Sequence, residues 1–376
     1  MKSKPSFSLK EQLFNKDKVN YLANLIKAAY PEFEQKAFSE DVLKEFPKLE
    51  LKERINNIAE NLAKYLPNSY PNALAIILQS LPPELDKSKT DNDFGDFIFA
   101  PLSLFVAKYG CEEQYLDISL NALKEITKRF SAEYAIRFFI NKYPERSLEF
   151  LEGCCNSKNY HVRRLASEGS RPKLPWAQKL LIDYHQPLTI LDKLFSDNTR
   201  YVSRSVANHL NDLAKLEPKL VIDTLKRWRQ SNKQTTKEME FISKHALRTL
   251  IKQGNPEALE LIGFSPNPQI EISQLASTSS IVKVGESFEF SFVLKSLKKQ
   301  KLMLDYIIEF ANPKKNKSKK VFKIKQLELA KKQEITIFKK HPIRLMTTRR
   351  LYTGKHSMTL QINGQQFGSL DFDLIA

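Results

Sequence analysis

The chain has 376 residues, 41% of them hydrophobic and 27% charged, and it carries a formal net charge of +17. This length is enough for about two domains whose cores need no disulfide or metal, and the amphipathic periodicity excludes a disordered chain. The positive charge favours a polyanion, either nucleic acid or a membrane surface, as the partner.

Membrane insertion and secretion are not expected from this sequence. Apolar runs such as Ala73–Leu78 are far too short to span a bilayer, and Met1–Lys10 does not resemble a signal peptide. Three cysteines, of which Cys154 and Cys155 are adjacent, cannot form a disulfide framework and indicate a reducing compartment. We therefore expect a soluble cytoplasmic protein. Oligomerisation is possible but not required, and a monomer is expected.

Common metal and nucleotide motifs are missing from the sequence. There is no CxxC pair, no HExxH motif and no clustered spacing of histidine and cysteine, so no metal site is predicted. Neither GxxxxGK[ST] nor GxGxxG occurs, so the sequence gives no reason to expect a nucleotide cofactor.

The first part of the chain shows the spacing of packed helices. Apolar residues recur at near-helical intervals in Leu51–Leu66, which Pro67 ends, in Ala73–Leu81 and in Phe97–Tyr109. Pro82, Pro83 and a polar run separate the last two segments. This region predicts packing rather than chemistry.

From about residue 113 the chain predicts repeated pairs of helices. Tyr160–Glu168 (YHVRRLASE) aligns with Arg200–Asn208 (RYVSRSVAN) forty residues later, and Phe241–Leu250 keeps the apolar positions after a further forty. In this alignment Asn208 takes the place of Glu168. The pattern resembles HEAT-type repeats, which stack into a curved solenoid and bind extended ligands on the concave side.

Basic residues recur in the frame of these repeats. They are Arg200, Arg204, Lys244 and Arg248. Charged residues on a solenoid helix often form only a solvated face. Cations that recur at one repeat position could instead follow a phosphate backbone, and binding would then weaken steeply with salt.

The segment His161–Trp176 (HVRRLASEGSRPKLPW) combines charged and aromatic residues at one predicted helix end. Arg164 and Glu168 are one turn apart, Gly169 is predicted to end the helix, and a proline-containing loop leads to Trp176. An arginine, a carboxylate and an indole at one edge could hold a phosphate, stabilise a cation and stack on a base. Two simpler interpretations stay open. Arg164 and Glu168 could only pair with each other, and Trp176 could be buried between repeats.

Two further carboxylates are candidates for the same site. Glu133 begins an aromatic-rich segment, and Asp212 follows the second repeat helix. Two or three acids that face one groove could position a water molecule and stabilise a developing cation.

After Gly254 and Pro256 the period of the sequence changes from helical to alternating. Phe288, Phe290, Phe292 and Leu294 alternate with polar residues, and Asn363–Gly364 is a strong hairpin signal. We interpret Pro268–Ala376 as a β-sandwich of about seven short strands. The predicted fold is thus multidomain α and β. An all-α HEAT-like repeat solenoid over residues 1–265 is followed by an immunoglobulin-like β-sandwich over residues 268–376.

The predicted β-sandwich carries most of the positive charge. Residues 266–376 hold 17 lysines and 3 arginines against 9 acidic residues, a net charge of +11. The cations cluster in a predicted strand-to-strand loop and again before residue 351: Lys314, Lys315, Lys317, Lys319, Lys320, Arg344, Arg349 and Arg350. A lysine-rich loop could serve solubility alone, but we favour contacts to DNA phosphates without base specificity.

Four stretches together resemble the AlkC branch of the DNA alkylation repair glycosylases. They are HVRRLASEGSRPKLPW, LAKYLP at 62–67, FVAKYG at 105–110, and the DxxxxVxRSVANHLNDLAK string that ends at Lys215. The resemblance covers essentially the whole chain. It implies a monofunctional glycosylase that removes cationic alkylated bases, chiefly 3-methyladenine and 3-methylcytosine, from duplex DNA. It also implies a HEAT-like solenoid, followed in many members by an immunoglobulin-like domain.

The resemblance assigns roles to the residues of the segment. Glu168, with Glu133 nearby, would stabilise the sugar cation and hold a water molecule, Trp176 would stack on the sugar or the lesion edge, and Asp212 could orient the water. Among the arginines, Arg164 would hold a flanking phosphate, and Arg163 and Arg171 are also expected to contact DNA. The family acts without drawing the base into a protein pocket, unlike base-flipping enzymes.

Two other functions compete with this hypothesis. One is a DNA-binding scaffold without catalytic activity, and the other is a solenoid that binds proteins. The latter would show exposed apolar stripes at one repeat position, where this sequence repeats cations.

Overall fold

A computed structural model describes residues 8–86, 88, 94–312, 318–344 and 350–376. The chain divides into two compact units. The first comprises Met1–Leu213 and Ser231–Ala246, and the second comprises Ala214–Gln230 and Leu247–Ala376.

The described part of the first unit is helical. Its helices are α1 (Leu9–Leu13), α2 (Lys16–Ala29), α3 (Gln35–Glu45), α4 (Leu51–Tyr65), α5 (Tyr70–Gln79), α6 (Ala100–Tyr109), α7 (Leu116–Ile126), α8 (Glu133–Lys142), α9 (Pro144–Cys154), α10 (Tyr160–Gly169), α11 (Leu188–Leu194), α12 (Arg200–Leu213) and α14 (Thr236–Ala246). The second unit contributes α13 (Pro218–Gln230), α15 (Arg248–Lys252) and α16 (Pro256–Leu261).

Local sequence accounts for where these helices begin and which face they bury. In α4 the side chains of Glu50 and Glu53 form a capping box, while Ile58 and Leu62 are fully buried. The sequence prediction of Leu51–Leu66 for this helix differs from the observed end by a single residue.

The helices that match one another at forty-residue intervals pack side by side. Helix α10 packs on α12, and α12 packs on α14. Val162 and Val202, which occupy the same position in the self-match, are both fully buried. Repetition of one apolar face thus lets each helix cover the face of its predecessor. The HEAT-like form of the whole array stays a prediction.

Helix α10 ends at Gly169, as the sequence predicts, but for a different physical reason. A glycine that ends a helix usually adopts the left-handed conformation, but Gly169 is not among the residues with positive φ. A Cβ atom at this position would lie 2.5 Å from Cγ2 of the buried Ile136 in α8. The glycine is therefore required by close packing between α10 and α8.

The second unit contains two antiparallel-rich sheets over its described residues. Its strands are β1 (Ile270–Ser277), β2 (Ile281–Lys283), β3 (Ser287–Ser296), β4 (Gln300–Phe310), β5 (Ser318–Leu329), β6 (Glu334–Pro342), β7 (Gly354–Ile362) and β8 (Gln365–Ile375). One sheet has the order β1-β3-β6 and the other β2-β8-β7-β4-β5. The described strands number eight, one more than the sequence predicted.

The alternating residues of β3 face the core of this unit, as predicted. Phe288, Phe290, Phe292 and Leu294 are fully buried and share one cluster with buried residues of β4 and β7. The turn at Asn363 and Gly364 has positive φ at both residues, the geometry of a tight hairpin. Both sequence signals are confirmed.

The lysine-rich segment before β5 is only partly a loop. Lys319 and Lys320 lie in strand β5, whereas the sequence predicted that they lie in a connecting loop. Alternation is weak here because lysines occupy successive positions, so the start of the strand is hidden from a pattern search. Lys314, Lys315 and Lys317 lie outside the described residues.

The helices that group with the strands precede the predicted start of the β-sandwich. Gln361 donates to the Lys252 carbonyl at 3.3 Å, and Asn363 donates to the Ser265 carbonyl at 2.8 Å. A Cβ at Gly364 would lie 2.5 Å from Cα of Gly254, so the two backbones touch. The predicted domain boundaries at 265 and 268 stay a prediction.

Candidate active site

Helix α10 buries charged side chains on the face that packs against its neighbours. Arg164 is 6% exposed and Glu168 is 4% exposed, although both are ionisable. The Asn159 side chain caps the helix by accepting from the His161 backbone N–H. Buried charges are costly unless they are paired, so the environment of both groups has to supply partners.

The predicted carboxylates and two arginines form one chain of alternating charge. Arg164 Nη1 lies 3.2 Å from Glu133 Oε2, and Arg164 Nη2 lies 3.7 Å from Glu168 Oε2. Arg171 Nη1 lies 2.5 Å from Glu168 Oε1, and its Nε and Nη2 each lie 3.1 Å from Asp212 Oδ2. Three carboxylates thus share two guanidinium groups, which leaves one net negative charge.

The surroundings keep Glu168 ionised despite its burial. Burial opposes the charged form, but Arg164, Arg171 and the Ser205 hydroxyl, which donates to Oε2 at 2.6 Å, together hold the pKa of Glu168 below its usual value. The same ion pairs raise the pKa of Arg171. The i,i+4 pair of Arg164 and Glu168 is therefore one link of a larger network.

Helix α12 supports this network with side chains that the sequence analysis did not single out. Ser205 binds Glu168 directly, and His209 Nδ1 lies 3.1 Å from the Ser167 carbonyl, so Nδ1 carries the hydrogen. Burial lowers the pKa of His209 to about 3, and the ring is neutral at physiological pH. No sequence signal marks Ser205, since it aligns with the apolar Leu165.

Arg164 is also enclosed by aromatic rings and a hydroxyl. Its guanidinium lies 4.4 Å from the Tyr201 ring centroid and 5.6 Å from that of Phe94, and it donates to Ser131 Oγ at 2.6 Å. A role in phosphate binding stays a prediction for this residue and for the equally buried Arg171. What both do in the structure is hold carboxylates.

The loop after α10 presents Trp176 to solvent. Trp176 is 66% exposed and has a φ of 64°, a strained value for a residue other than glycine. Its carbonyl accepts a hydrogen bond from Lys52 Nζ. Burial of this indole between repeats, one of the alternatives above, is therefore wrong. Its proximity to a lesion stays a prediction.

Arg137 fastens this loop to α8. Its Nη1 donates to the carbonyls of Gly169 at 3.1 Å and Arg171 at 2.7 Å, and its Nε donates to that of Gln178 at 2.8 Å. Burial lowers the pKa of Arg137 to about 10. The guanidinium thus satisfies three backbone acceptors that bracket Trp176. No local sequence pattern marks Arg137, because its partners lie more than thirty residues away.

Most of the predicted phosphate-binding cations of the helices are engaged by acidic groups. Arg163 Nε lies 2.5 Å from Asp197 Oδ2, and Arg200 Nη2 lies 2.5 Å from Glu238 Oε2 with its guanidinium 3.7 Å from the Phe241 ring centroid. Exposed Lys244 lies 3.5 Å from Glu240. Arg204 and Arg248 are half-buried and also have partners. Their contacts to DNA stay predictions.

We call the predicted β-sandwich over residues 268–376 the β-domain. Part of its predicted basic surface can be located. Arg344 and Arg350 are exposed, and Arg350 lies 5.6 Å from the Tyr352 ring centroid. Arg349, like Lys314, Lys315 and Lys317, lies outside the described residues.

Among the residues with described positions, no group of three His, Cys, Asp or Glu side chains could hold a metal ion. No helix in the described ranges is long and apolar enough to cross a membrane.

Comparison with known proteins agrees with both parts of this architecture. A family model described as the C-terminal Ig-like domain of the uncharacterised protein YhaZ matches residues 271–376, so the predicted immunoglobulin-like assignment is confirmed. YhaZ of Bacillus subtilis (strain 168) is 33% identical over 368 residues, which are 97% of this chain and 99% of YhaZ. The structure of the Pseudomonas fluorescens alkylpurine DNA glycosylase AlkC, bound to DNA containing an abasic site analog, matches with a TM-score of 0.88 and 35% identity over 98% of this chain and 100% of that one. The chain therefore belongs to the family of AlkC and YhaZ.

Proposed function

We propose that this protein is a DNA glycosylase that hydrolyses the N-glycosidic bond of cationic alkylated bases, 3-methyladenine and 3-methylcytosine, in duplex DNA as a step of base excision repair. The observation that carries the proposal is the arginine-bridged set of Glu133, Glu168 and Asp212 in a chain that matches a DNA-bound alkylpurine glycosylase over its full length. It acts as a cytoplasmic monomer without metal or cofactor.

The chemistry of the lesion explains why carboxylates are sufficient. Methylation makes the base a cation and a good leaving group, so the enzyme does not need to protonate it. As the bond breaks, positive charge moves to the deoxyribose ring. Preorganised negative groups stabilise that charge more effectively than water does, because they need not reorient during the reaction.

The three carboxylates differ in solvent exposure, and we assign them different roles on that basis. The Glu133 side chain is 20% exposed, whereas those of Glu168 and Asp212 are almost entirely buried. Glu133 is thus the acid that can reach a bound sugar or water molecule directly. Glu168 keeps the network negative behind it, and Asp212 holds Arg171 in place. Trp176 contributes a ring that stacks on the sugar or on the lesion edge.

The proposal includes excision without transfer of the base into a protein pocket. A cationic base departs readily once its sugar is stabilised, so tight enclosure of the base adds little to the rate. The arginines predicted to contact DNA would hold the phosphates on either side of the lesion.

Release of free base from damaged duplex DNA tests the proposal. The protein is incubated with a duplex that contains 3-methyladenine and, in parallel, with one that contains 3-methylcytosine, and the freed base is separated and quantified. We expect release well above the spontaneous rate, and none from the undamaged duplex. Tight binding to the damaged duplex without release would instead identify a DNA-binding scaffold.

A further inference from the structure

The β-domain contains a cavity of about 520 Å³ that is open to solvent. Its lining includes residues of β5 and β6, each of which is one of the two edge strands of its sheet. We call this cavity the β-domain pocket and define it by Tyr306, Phe322, His341, Lys320, Lys339 and Arg344. Its volume is within the usual range for sites that bind small molecules or single nucleotides, roughly 300–1,000 Å³.

Aromatic rings form the floor of the β-domain pocket. Phe322 stacks on Tyr306 with ring centroids 5.3 Å apart, and the His341 ring packs edge-on to Phe322 at 4.5 Å. Tyr306 Oη and His341 Nδ1 are hydrogen-bonded at 2.8 Å. The rings are therefore fixed by one another before any ligand arrives, and a planar ligand would lose little entropy to protein rearrangement.

Cations surround this aromatic floor. The lining contains five basic side chains and no acidic one. Lys340 is paired with Glu289 at 2.7 Å, and Lys323 lies opposite Asp305 in the strand register. Within the described ranges no ion pair joins Lys320, Lys339 or Arg344 to a carboxylate. Three positive charges around apolar rings favour an anion with an aromatic part.

Edge strands often carry lysines simply to prevent sheets from pairing with each other. Lysines at any position along the edge strand would serve that role. Here Lys320 and Phe322 are two residues apart on one strand, and Lys339 and His341 are two residues apart on the other, so each cation shares a strand face with a ring of the pocket. Protection of the edge does not account for this matched arrangement.

We propose that the β-domain pocket binds an unpaired nucleotide of a single-stranded nucleic acid. The base stacks on the partly exposed Phe322, which Tyr306 and His341 hold in place, and Lys320, Lys339 and Arg344 hold the flanking phosphates. This activity is separate from base excision and does not depend on it, because all its residues belong to the β-domain.

Photochemical crosslinking locates the ligand on the full-length protein. The probe is a single strand of about 12 thymidines, within the usual site size for such surfaces, with one central base replaced by 5-iodouracil. After irradiation the crosslinked peptides are identified by mass spectrometry. We expect adducts on Phe322, the ring of the pocket that is partly exposed, since Tyr306 and His341 are buried. Adducts found only at other aromatic residues, such as Trp176, would overturn the proposal.

Binding measurements separate stacking from charge. Phe322→Leu keeps an apolar side chain and should weaken binding of the thymidine strand about tenfold, while binding of an abasic strand of the same length stays unchanged. The double variant Lys320→Gln/Lys339→Gln should reduce the slope of log affinity against log salt by about 1.4, because two phosphate contacts are lost.

A control variant removes the same charge elsewhere in the β-domain. Lys331→Gln/Lys355→Gln alters two exposed lysines outside the pocket and should leave the salt slope unchanged. Equal affinity of the wild-type protein and Phe322→Leu for the thymidine strand would overturn the proposal, as would equal salt slopes in the two lysine double variants.

Discussion

At the scale of single residues, Glu168 is charged in a place where burial alone would neutralise it. Two arginines and the Ser205 hydroxyl keep its pKa below the usual value, so its charge is present throughout the physiological pH range. Such a charge is expensive to maintain, because ion pairs of this kind rarely stabilise a fold more than apolar packing would. The proposed role of Glu168 in stabilising a sugar cation would account for a fixed negative charge at this position.

Glu168→Gln should abolish most base excision while leaving DNA binding intact. The amide keeps the shape of the side chain but removes the charge that stabilises the sugar cation, and we expect a loss of about 100-fold or more in the single-turnover excision rate. Excision of 3-methyladenine and binding of an abasic duplex are measured on the same preparation.

Stability has to be separated from catalysis in this variant, since breaking a buried ion pair costs about 3–5 kcal/mol. Glu11→Gln is a control for the loss of an ion pair to a buried arginine, because the Glu11 side chain, 57% exposed, faces the buried Arg54 in another part of the first unit. The control should excise at the wild-type rate. Wild-type excision by Glu168→Gln would show that the carboxylate has no catalytic role.

His209 should make the protein less stable in acid between pH 7 and pH 5. Its pKa is about 3 in the folded state, against an ordinary value of about 6.5 in the unfolded chain, so the unfolded state binds an extra proton below pH 6.5 and is favoured there. This single group should lower the free energy of unfolding by about 2 kcal/mol over that interval.

The measurement is urea unfolding of the wild-type protein and His209→Gln at both pH values. Burial raises the pKa of Asp305 to about 6, but this carboxyl is present in both proteins, so the difference between them isolates His209. Between pH 7 and pH 5, the free energy of unfolding should fall by about 2 kcal/mol less in the variant than in the wild type. Identical losses in both proteins would contradict the assignment of a neutral, buried ring.

At the scale of elements, the segment between α10 and α11 is ordered by side chains of other helices. Arg137 of α8 donates to two of its carbonyls and to the carbonyl of Gly169 at the end of α10, and Asn141 of α8 donates to the Lys179 carbonyl at 2.9 Å. Proline alone does not determine this path. The exposed position of Trp176 thus depends on α8 as much as on the segment itself.

Arg137→Met should loosen this segment. The variant removes the Arg137 donor from two buried carbonyls and one part-buried carbonyl, at about 1–3 kcal/mol for each buried group left unsatisfied, and the segment becomes accessible to protease. Limited trypsin digestion is followed by mass spectrometry at Arg171, Lys173 and Lys179. Cleavage there should be faster in the variant than in the wild type.

Arg129→Met is the matched control for this experiment, since Arg129 likewise fastens a loop by donating to the Pro82 carbonyl at 2.7 Å. It should not change cleavage between α10 and α11. A cleavage rate for Arg137→Met equal to that of the control would show that the segment is ordered by other contacts.

The sequence predicted elements better than it predicted contacts between them. Periodicity located α10 and α12, and the Asn363–Gly364 signal located the last hairpin, because both depend on local conformation. Glu168 was selected from a dense local motif, whereas Glu133 was selected only as an acid at the start of an aromatic-rich segment. Ser205 and Arg137 escaped notice because their roles depend on the register in which whole helices pack, and the composition of a single helix does not encode that register.

At the scale of the whole molecule, most of the net positive charge lies outside the part of the sequence that forms the carboxylate–arginine network. The last 111 residues carry a net charge of +11 out of +17. Deletion of these residues is a poor test of their function, because α15 and the residues after α16 bond directly to the β7–β8 hairpin within one compact unit. Substitution of charges leaves that unit whole.

Lys314→Gln/Lys315→Gln/Lys317→Gln should flatten the salt dependence of DNA binding, if the proposed phosphate contacts of this cluster are made. Each phosphate contact contributes about 0.9 to the slope of log affinity against log salt on duplex DNA, so the slope should fall by about 3. Fluorescence anisotropy with a labelled abasic duplex, measured over a series of salt concentrations, gives the slope for each protein.

Lys298→Gln/Lys299→Gln/Lys301→Gln removes three charges from another part of the same domain and should keep the wild-type slope. Equal slopes in the wild type and the first variant would assign these lysines to solubility rather than to DNA.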